Sequence, residues 1–223
     1  MNQQSDLLEG SGLCFFGEMS AANAHEIKNA LAVINENAGL LEDFIVLAEK
    51  GIPLDLSRLK RLAGAIKQQV SRADHIAKST NRFAHSVDQG QEVADLEQSL
   101  ILITDMATRF ATLRNVHLQV AKTHASITLP VRPFTLLHLL WLCLHASIKA
   151  CETGQVLTVT AKKIKGAVEI SYGPLLLLKD SFVLDLKASP EMMTLLYTLD
   201  GALRINSNAT ILTLTLKKNN HKS

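Results

Sequence analysis

The sequence predicts an α+β protein in which a long helical hairpin precedes a small α/β sandwich. Three observations carry that expectation. Apolar residues recur at steps of four and three through Ile27, Leu31, Ile34, Ala38, Leu41, Ile45 and Ala48, and again from Leu56 to Ala84. Between the two runs lies GIPLD (51–55), whose Gly and Pro break the helix. Beyond residue 95 the pattern changes to short alternating runs interleaved with apolar helices.

Each element follows in order. Spacing that alternates three and four over roughly four heptads marks a left-handed seam, and a short connector makes the two helices antiparallel. Val33, Leu40, Leu47, Leu62, Ile76 and Phe83 flank the seams and widen the apolar stripe beyond what one hairpin buries. Two hairpins meeting as a four-helix bundle would bury it, which predicts a homodimer. Residues 88–95 (DQGQEVAD) read as a linker, so the chain divides into a hairpin at 1–90 and a sandwich at 91–223.

Within the second part a helix is expected at about 95–113, then strands in VHLQVAK (116–122) and ASITL (125–129). PFTLLHLLWLCLHASIKAC (133–151) reads as a buried helix with Pro in its first turn. QVLTVTAKK and GAVEISY alternate like a hairpin, a helix covers about 189–199, and two closing strands follow Asp200-Gly201. Helices on one face of an antiparallel-to-mixed sheet make the sandwich.

Composition bounds the function. Hydrophobic residues make up 47%, charged residues 20% and aromatics 4% of 223 residues, and the net charge is +2. A charge that small points to neither nucleic acid nor a membrane surface. Cys14, Cys143 and Cys151 form no CxxC pair and sit among apolar neighbours, as small buried hydrophobes do in a reducing cytosol. The start MNQQSDLLEG lacks the character of a signal peptide, and the apolar run at 135–148 is too short to span a bilayer. A cytoplasmic location is expected.

One stretch invites chemistry. AHEIKNALAVI (24–34) places His25 and Asn29 on one helical face, with Glu26 about a hundred degrees round. It nearly spells the zinc-protease motif HExxH, but Asn29 stands where the second histidine belongs, and an amide is a poor zinc ligand. His25 lies about 200° from the seam residue Ile27 and should face solvent. In isolation it would pass for a surface histidine. His75 and His85 have no motif around them, and His138 and His145 sit on an apolar helix as core or interface histidines do.

FFGEMSAANAHEIKNALAVI (15–34) resembles the H-box of sensor histidine kinases over its whole length, and the order of hairpin and sandwich resembles their dimerisation and ATP-binding domains. The resemblance implies that His25 is the phosphoacceptor, Glu26 the acidic neighbour that polarises it, and Asn29 the position associated with phosphatase activity. Ala30 replaces the usual helix-bending proline. The nucleotide motifs do not carry over. Leu142 and Ala146 fall where asparagines should hold Mg²⁺ and phosphate, Ser171-Tyr172-Gly173-Pro174-Leu175 replaces the adenine-reading DxGxG, and the expected lid (180–193) has no glycine.

The reading is therefore a degenerate ATPase fold behind an intact phosphoacceptor. It implies a histidine phosphotransferase in a two-component phosphorelay, passing a phosphoryl group between His25 and receiver-domain aspartates. No cofactor is expected on this chain, because the receiver would supply Mg²⁺. The expected partners are response regulator receiver domains, a second copy of the chain, and an upstream hybrid histidine kinase. Alternatives are a response-regulator phosphatase using Asn29, a non-catalytic scaffold or inhibitor of a two-component system, and an active kinase, which the three missing boxes disfavour.

Overall fold

The structure is a computed structural model and describes residues 2–88, 93–122, 126–177, 186, 188–206 and 210–217, with side chains from residue 8 onward. The two heptad runs form helices α1 (Asn2–Glu49) and α2 (Leu56–Asp88). Their junction is built by the residues that break the pattern. Gly51, at φ 83°, closes α1: its N–H donates to Ala48 O, and the Ile52 N–H reaches back to Leu47 O. That is a Schellman cap, which needs a residue free to adopt positive φ. Asp55 then caps α2, its Oδ1 accepting from the backbone N–H groups of Ser57 (2.8 Å) and Arg58 (3.3 Å). Those bonds, with the Ser57 hydroxyl foremost, hold the Asp55 carboxyl below its ordinary pKa. Helix α1 passes through Ala30 without interruption, as expected where proline is replaced.

The chain forms two compact units. One is Ser20–Asn81, the central stretch of the hairpin. The other joins Met1–Met19 to Arg82–Ser223, so the sandwich includes the start of α1 and the end of α2.

In the sandwich unit, β1 (Val93–Asp95) pairs antiparallel with β3 (Thr128–Pro130). Thus the end of the expected linker is a strand, while 89–92 lie outside the described residues. Of the strand read at 125–129, Thr128 and Leu129 pair, and Ala125 lies outside the described residues. The helix expected at 95–113 divides at Ala107 into α3 (Leu96–Met106) and α4 (Thr108–Leu113). Asp95 caps α3 through the Gln98 N–H. The five-stranded sheet contains β2 (His117–Val120), β4 (Val156–Ile164), β5 (Ala167–Gly173), β6 (Gly201–Asn206) and β7 (Ile211–Lys217) in the order β2-β4-β5-β7-β6. Only β2 and β4 run parallel, which makes the sheet mixed.

Alternation sorts the two faces. Leu157, Val159, Val168, Ile170, Tyr172, Leu203, Leu212, Leu214 and Leu216 are buried. Thr160, Ser171 and Thr213 line up across the opposite face. The buried side joins one core with α3, α5 (Pro133–Lys149) and α6 (Pro190–Thr198). From α5 alone it takes Leu136, Leu137, Leu139, Leu140, Trp141, Cys143, Leu144 and Ile148.

The first turns of α1 close the unit. Phe15 packs edge-on to Phe83 (centroids 5.2 Å, 84°), against Phe134 (5.4 Å), and flat on the His138 ring (4.6 Å, 2°). Gly12 admits the approach of Phe134, whose Cε1 would stand 3.3 Å from a Cβ placed there. Cys143 and Cys151 are buried, as expected, but Cys14 is exposed. Its neighbour Phe15 takes the inward position on α1, and one residue turns Cys14 about a hundred degrees out.

Candidate functional site

The hairpin places the three motif residues within about one turn of a single helix, α1. AHEIKNALAVI holds no glycine or proline, so α1 continues through it with full backbone hydrogen bonding. Ala22, Asn23 and Ala30 are buried, whereas His25 and Asn29 are exposed. Glu26 lies between: its side chain keeps 13% of its exposure.

That carboxylate is held from two sides. Asn29 Nδ2, one turn on, donates to Glu26 Oε1 at 3.3 Å. Arg72 Nη2, reaching from α2, donates to Glu26 Oε2 in a charge-assisted bond. The His25 ring takes part in neither bond, although a carboxylate bond to that ring is what the motif suggests. In this structure Glu26 serves the hairpin instead, and His25 stands in solvent beside it.

Sequence reading missed Arg72. A usable clue was present, because Glu26 immediately precedes seam residue Ile27 and Arg72 immediately precedes seam residue Ala73. Opposite charges flanking a seam on neighbouring helices pair across it. Recognising them needs the antiparallel register, which the turn alone does not fix.

His138 and His145 take structural places. His138 Nε2 lies 2.7 Å from Glu191 Oε1, and the side chain is almost fully buried. Burial pushes its pKa down against the upward pull of Glu191. His145 stacks on Trp141 (4.6 Å, 7°), and burial, with Lys149 and Arg114 nearby, brings its pKa down to about 4. His75 and His85 are exposed.

At the positions matched to the nucleotide motifs, the side chains present do not suit a Mg²⁺-nucleotide. Leu142 is half-buried and Ala146 buried, and neither has a donor or acceptor for metal or phosphate. Ser171 pairs within the sheet, while Tyr172 turns into the core, its hydroxyl without a partner there. Burial holds that hydroxyl, and the neighbouring Cys143 thiol, well above their ordinary pKa values. Half of the lid segment, 180–185 and 187, lies outside the described residues. Among the described residues no group of three or more His, Cys, Asp or Glu could hold a metal ion, and no helix is long and apolar enough to cross a membrane.

No family model and no curated protein matches this sequence. Solved structures do match. A bacterial phosphotransferase is 15% identical, with 92% of this chain and 96% of that chain covered, at a TM-score of 0.52. The Acinetobacter baumannii histidine kinase AdeS is 12% identical over 88% of this chain and 98% of its own, at 0.45. The histidine kinase ThkA, solved with the response regulator TrrA, is 16% identical over 100% of this chain and 69% of its own, at 0.46. At such identities the likeness is one of fold. The chain is an α+β protein, a helical hairpin followed by an α/β sandwich, and its neighbours among solved structures are histidine kinases and a phosphotransferase.

Proposed function

We propose that this protein is a dimeric histidine phosphotransferase of a two-component system, carrying a phosphoryl group on His25 between receiver-domain aspartates. The observation that carries the reading is His25 itself: a solvent-open imidazole on a helix of the hairpin, next to a carboxylate bonded by Asn29 and Arg72. Neutral imidazole is a usable nucleophile near neutral pH, and its Nε2 can attack an aspartyl phosphate. Transfer of this kind asks mainly for positioning and charge stabilisation, and the partner receiver brings its own aspartate and Mg²⁺. No ATP-dependent kinase step is assigned, given the hydrocarbon side chains of Leu142 and Ala146.

A second copy completes the bundle. Leu31 and Ile45 on α1, and Leu56, Ala63, Val70 and Ala77 on α2, are exposed in the single chain, each series at seven-residue spacing or its multiple. Their seam companions Ile34, Leu41, Ala48, Leu59, Ile66 and Ala73 are half-buried. A face left open at the heptad period is the face a second hairpin covers.

The test is transfer itself. A receiver domain charged with radiolabelled acetyl phosphate is mixed with the protein, and the label is followed. Label on the wild type and none on His25→Ala is the expected result. Loss of label as free phosphate, dependent on Asn29, would replace the relay with a phosphatase. No movement of label at all would leave a scaffold or inhibitor.

A further inference from the structure

Arg72 reaches from the opposite helix to the motif's carboxylate, and the pair is lopsided. Glu26 is largely withdrawn from water at 13% side-chain exposure, while Arg72 keeps 47%. The carboxylate has little hydration left with which to absorb a new negative neighbour. The guanidinium commits Nη2 to Glu26 and has further donors in its fork. Asn29 shares the helical face of His25, so its bond to Glu26 Oε1 draws the carboxylate toward that face. Arg72 holds the other oxygen, Oε2, of the residue adjacent to His25.

Building on the phosphotransferase reading, we infer that Arg72 is the phosphoryl-holding residue of the His25 site. In the transfer, His25 Nε2 forms the N–P bond as the P–O bond to the receiver's aspartate breaks. The bonding pair leaves with the aspartate oxygen, and the ring keeps its Nδ1 proton. The phosphoryl group carries a charge of roughly −1.5 to −2, offset in part by the ring's retained proton, and leaves a net negative charge on the residue adjacent to Glu26. Left alone, that charge and the poorly hydrated carboxylate repel, which drives the group back to the receiver. Arg72 turns the contact favourable. Its free N–H donors bind the phosphoryl oxygens, and its bond to Glu26 is traded in part for the stronger anion. The unoccupied site keeps the cation in store by pairing it with the carboxylate.

Lys28 is the competing assignment, since it is exposed and three residues from His25 on the same helix. As a point charge on a flexible stem it lacks the planar fork that grips phosphate oxygens from a fixed direction.

The experiment measures the equilibrium ratio of phospho-His25 to phospho-receiver, using the labelled receiver above, with melting temperature recorded for each variant. Arg72→Ala should lower that ratio by roughly 10- to 100-fold, the scale of a hydrogen bond to a charged group. Arg72→Lys should recover part of it, and Lys28→Ala should change it little. Glu26→Gln should raise the ratio while slowing approach to equilibrium, because repulsion is relieved and Arg72 is released. Opposite signs from the two halves of one ion pair are not what a merely structural bridge produces. An unchanged ratio in Arg72→Ala, or a larger loss in Lys28→Ala, overturns the inference while leaving the phosphotransferase reading standing. A wild type that takes no label ends both.

Discussion

Replacing Val70 by Asp probes the proposed four-helix bundle at a position that would separate the dimer from the hairpin. Val70 is 51% exposed in the single chain, so the substitution removes little from the fold of one protomer. In a symmetric four-helix bundle it acts twice. Burying the remaining half of a valine side chain is worth about 0.8 kcal/mol, or about 1.5 kcal/mol over two copies. An unpaired carboxylate in each apolar layer adds several kcal/mol more. A total near 5 kcal/mol weakens association by more than about a thousandfold. Sedimentation at micromolar concentration should therefore show a dimeric wild type, a monomeric Val70→Asp with its helical circular dichroism retained, and a dimeric Gln68→Asp, whose site lies exposed off the stripe. A Val70→Asp protein that sediments with the wild type would refute the second-copy argument.

Calorimetric titration with Mg²⁺-ATP at millimolar concentration should give no binding heat, and Mg²⁺-dependent binding would contradict the reading of Leu142, Ala146 and Ser171. His145 is held neutral in the fold, its pKa at about 4 against about 6.5 when unfolded. The unfolded chain therefore binds the extra proton first, and stability is lost as pH falls from about 6.5 to about 4, then levels off. Discounted for the ring's partial exposure, the loss is on the order of 1–2 kcal/mol. Urea midpoints at pH 7 and pH 4.5 should differ by less in His145→Phe, which keeps a ring against Trp141, than in the wild type. Phe15→Ala empties the site packed by Phe83, Phe134 and His138 and should cost about 3–5 kcal/mol in a denaturant titration.

The hairpin was legible because its signals are local and reinforce one another: heptad spacing, Gly51, and Asp55 at the start of α2. Periodicity did not say which seam residues meet inside one chain. Leu31 and Leu41 look alike as letters, yet Leu31 is exposed and Leu41 half-buried. A four-helix bundle uses two adjoining stripes per helix, and their assignment depends on the direction in which the partner helix lies. The central strands were readable from alternation, whereas β1 spans three residues and exists through its pairing with β3, a contact some thirty-five residues away along the chain. The polar start of the sequence concealed that α1 begins at Asn2, since its inward residues Gly12, Phe15 and Met19 are too sparse to reveal a stripe without the surface they meet. At the candidate site, His25, Glu26 and Asn29 were found by spacing and resemblance. Arg72 was not, because an ion pair across forty-six positions is a property of register.

The aromatic layer that ties Phe15 to Phe134 and His138 bears on how the chain must acquire its shape during synthesis. The first turns of α1 leave the ribosome long before α5 exists to receive them. Until the later segment emerges, Phe15 and Met19 have no lasting cover, and the order of translation works against the order of packing. Nor does any contiguous fragment from residue 91 onward reproduce the unit, because Phe15 and Phe83 belong to it by contact while preceding it in sequence. A ribosome-nascent chain halted before residue 133 should therefore expose the beginning of α1 to proteases, and one carried past residue 149 should begin to protect it.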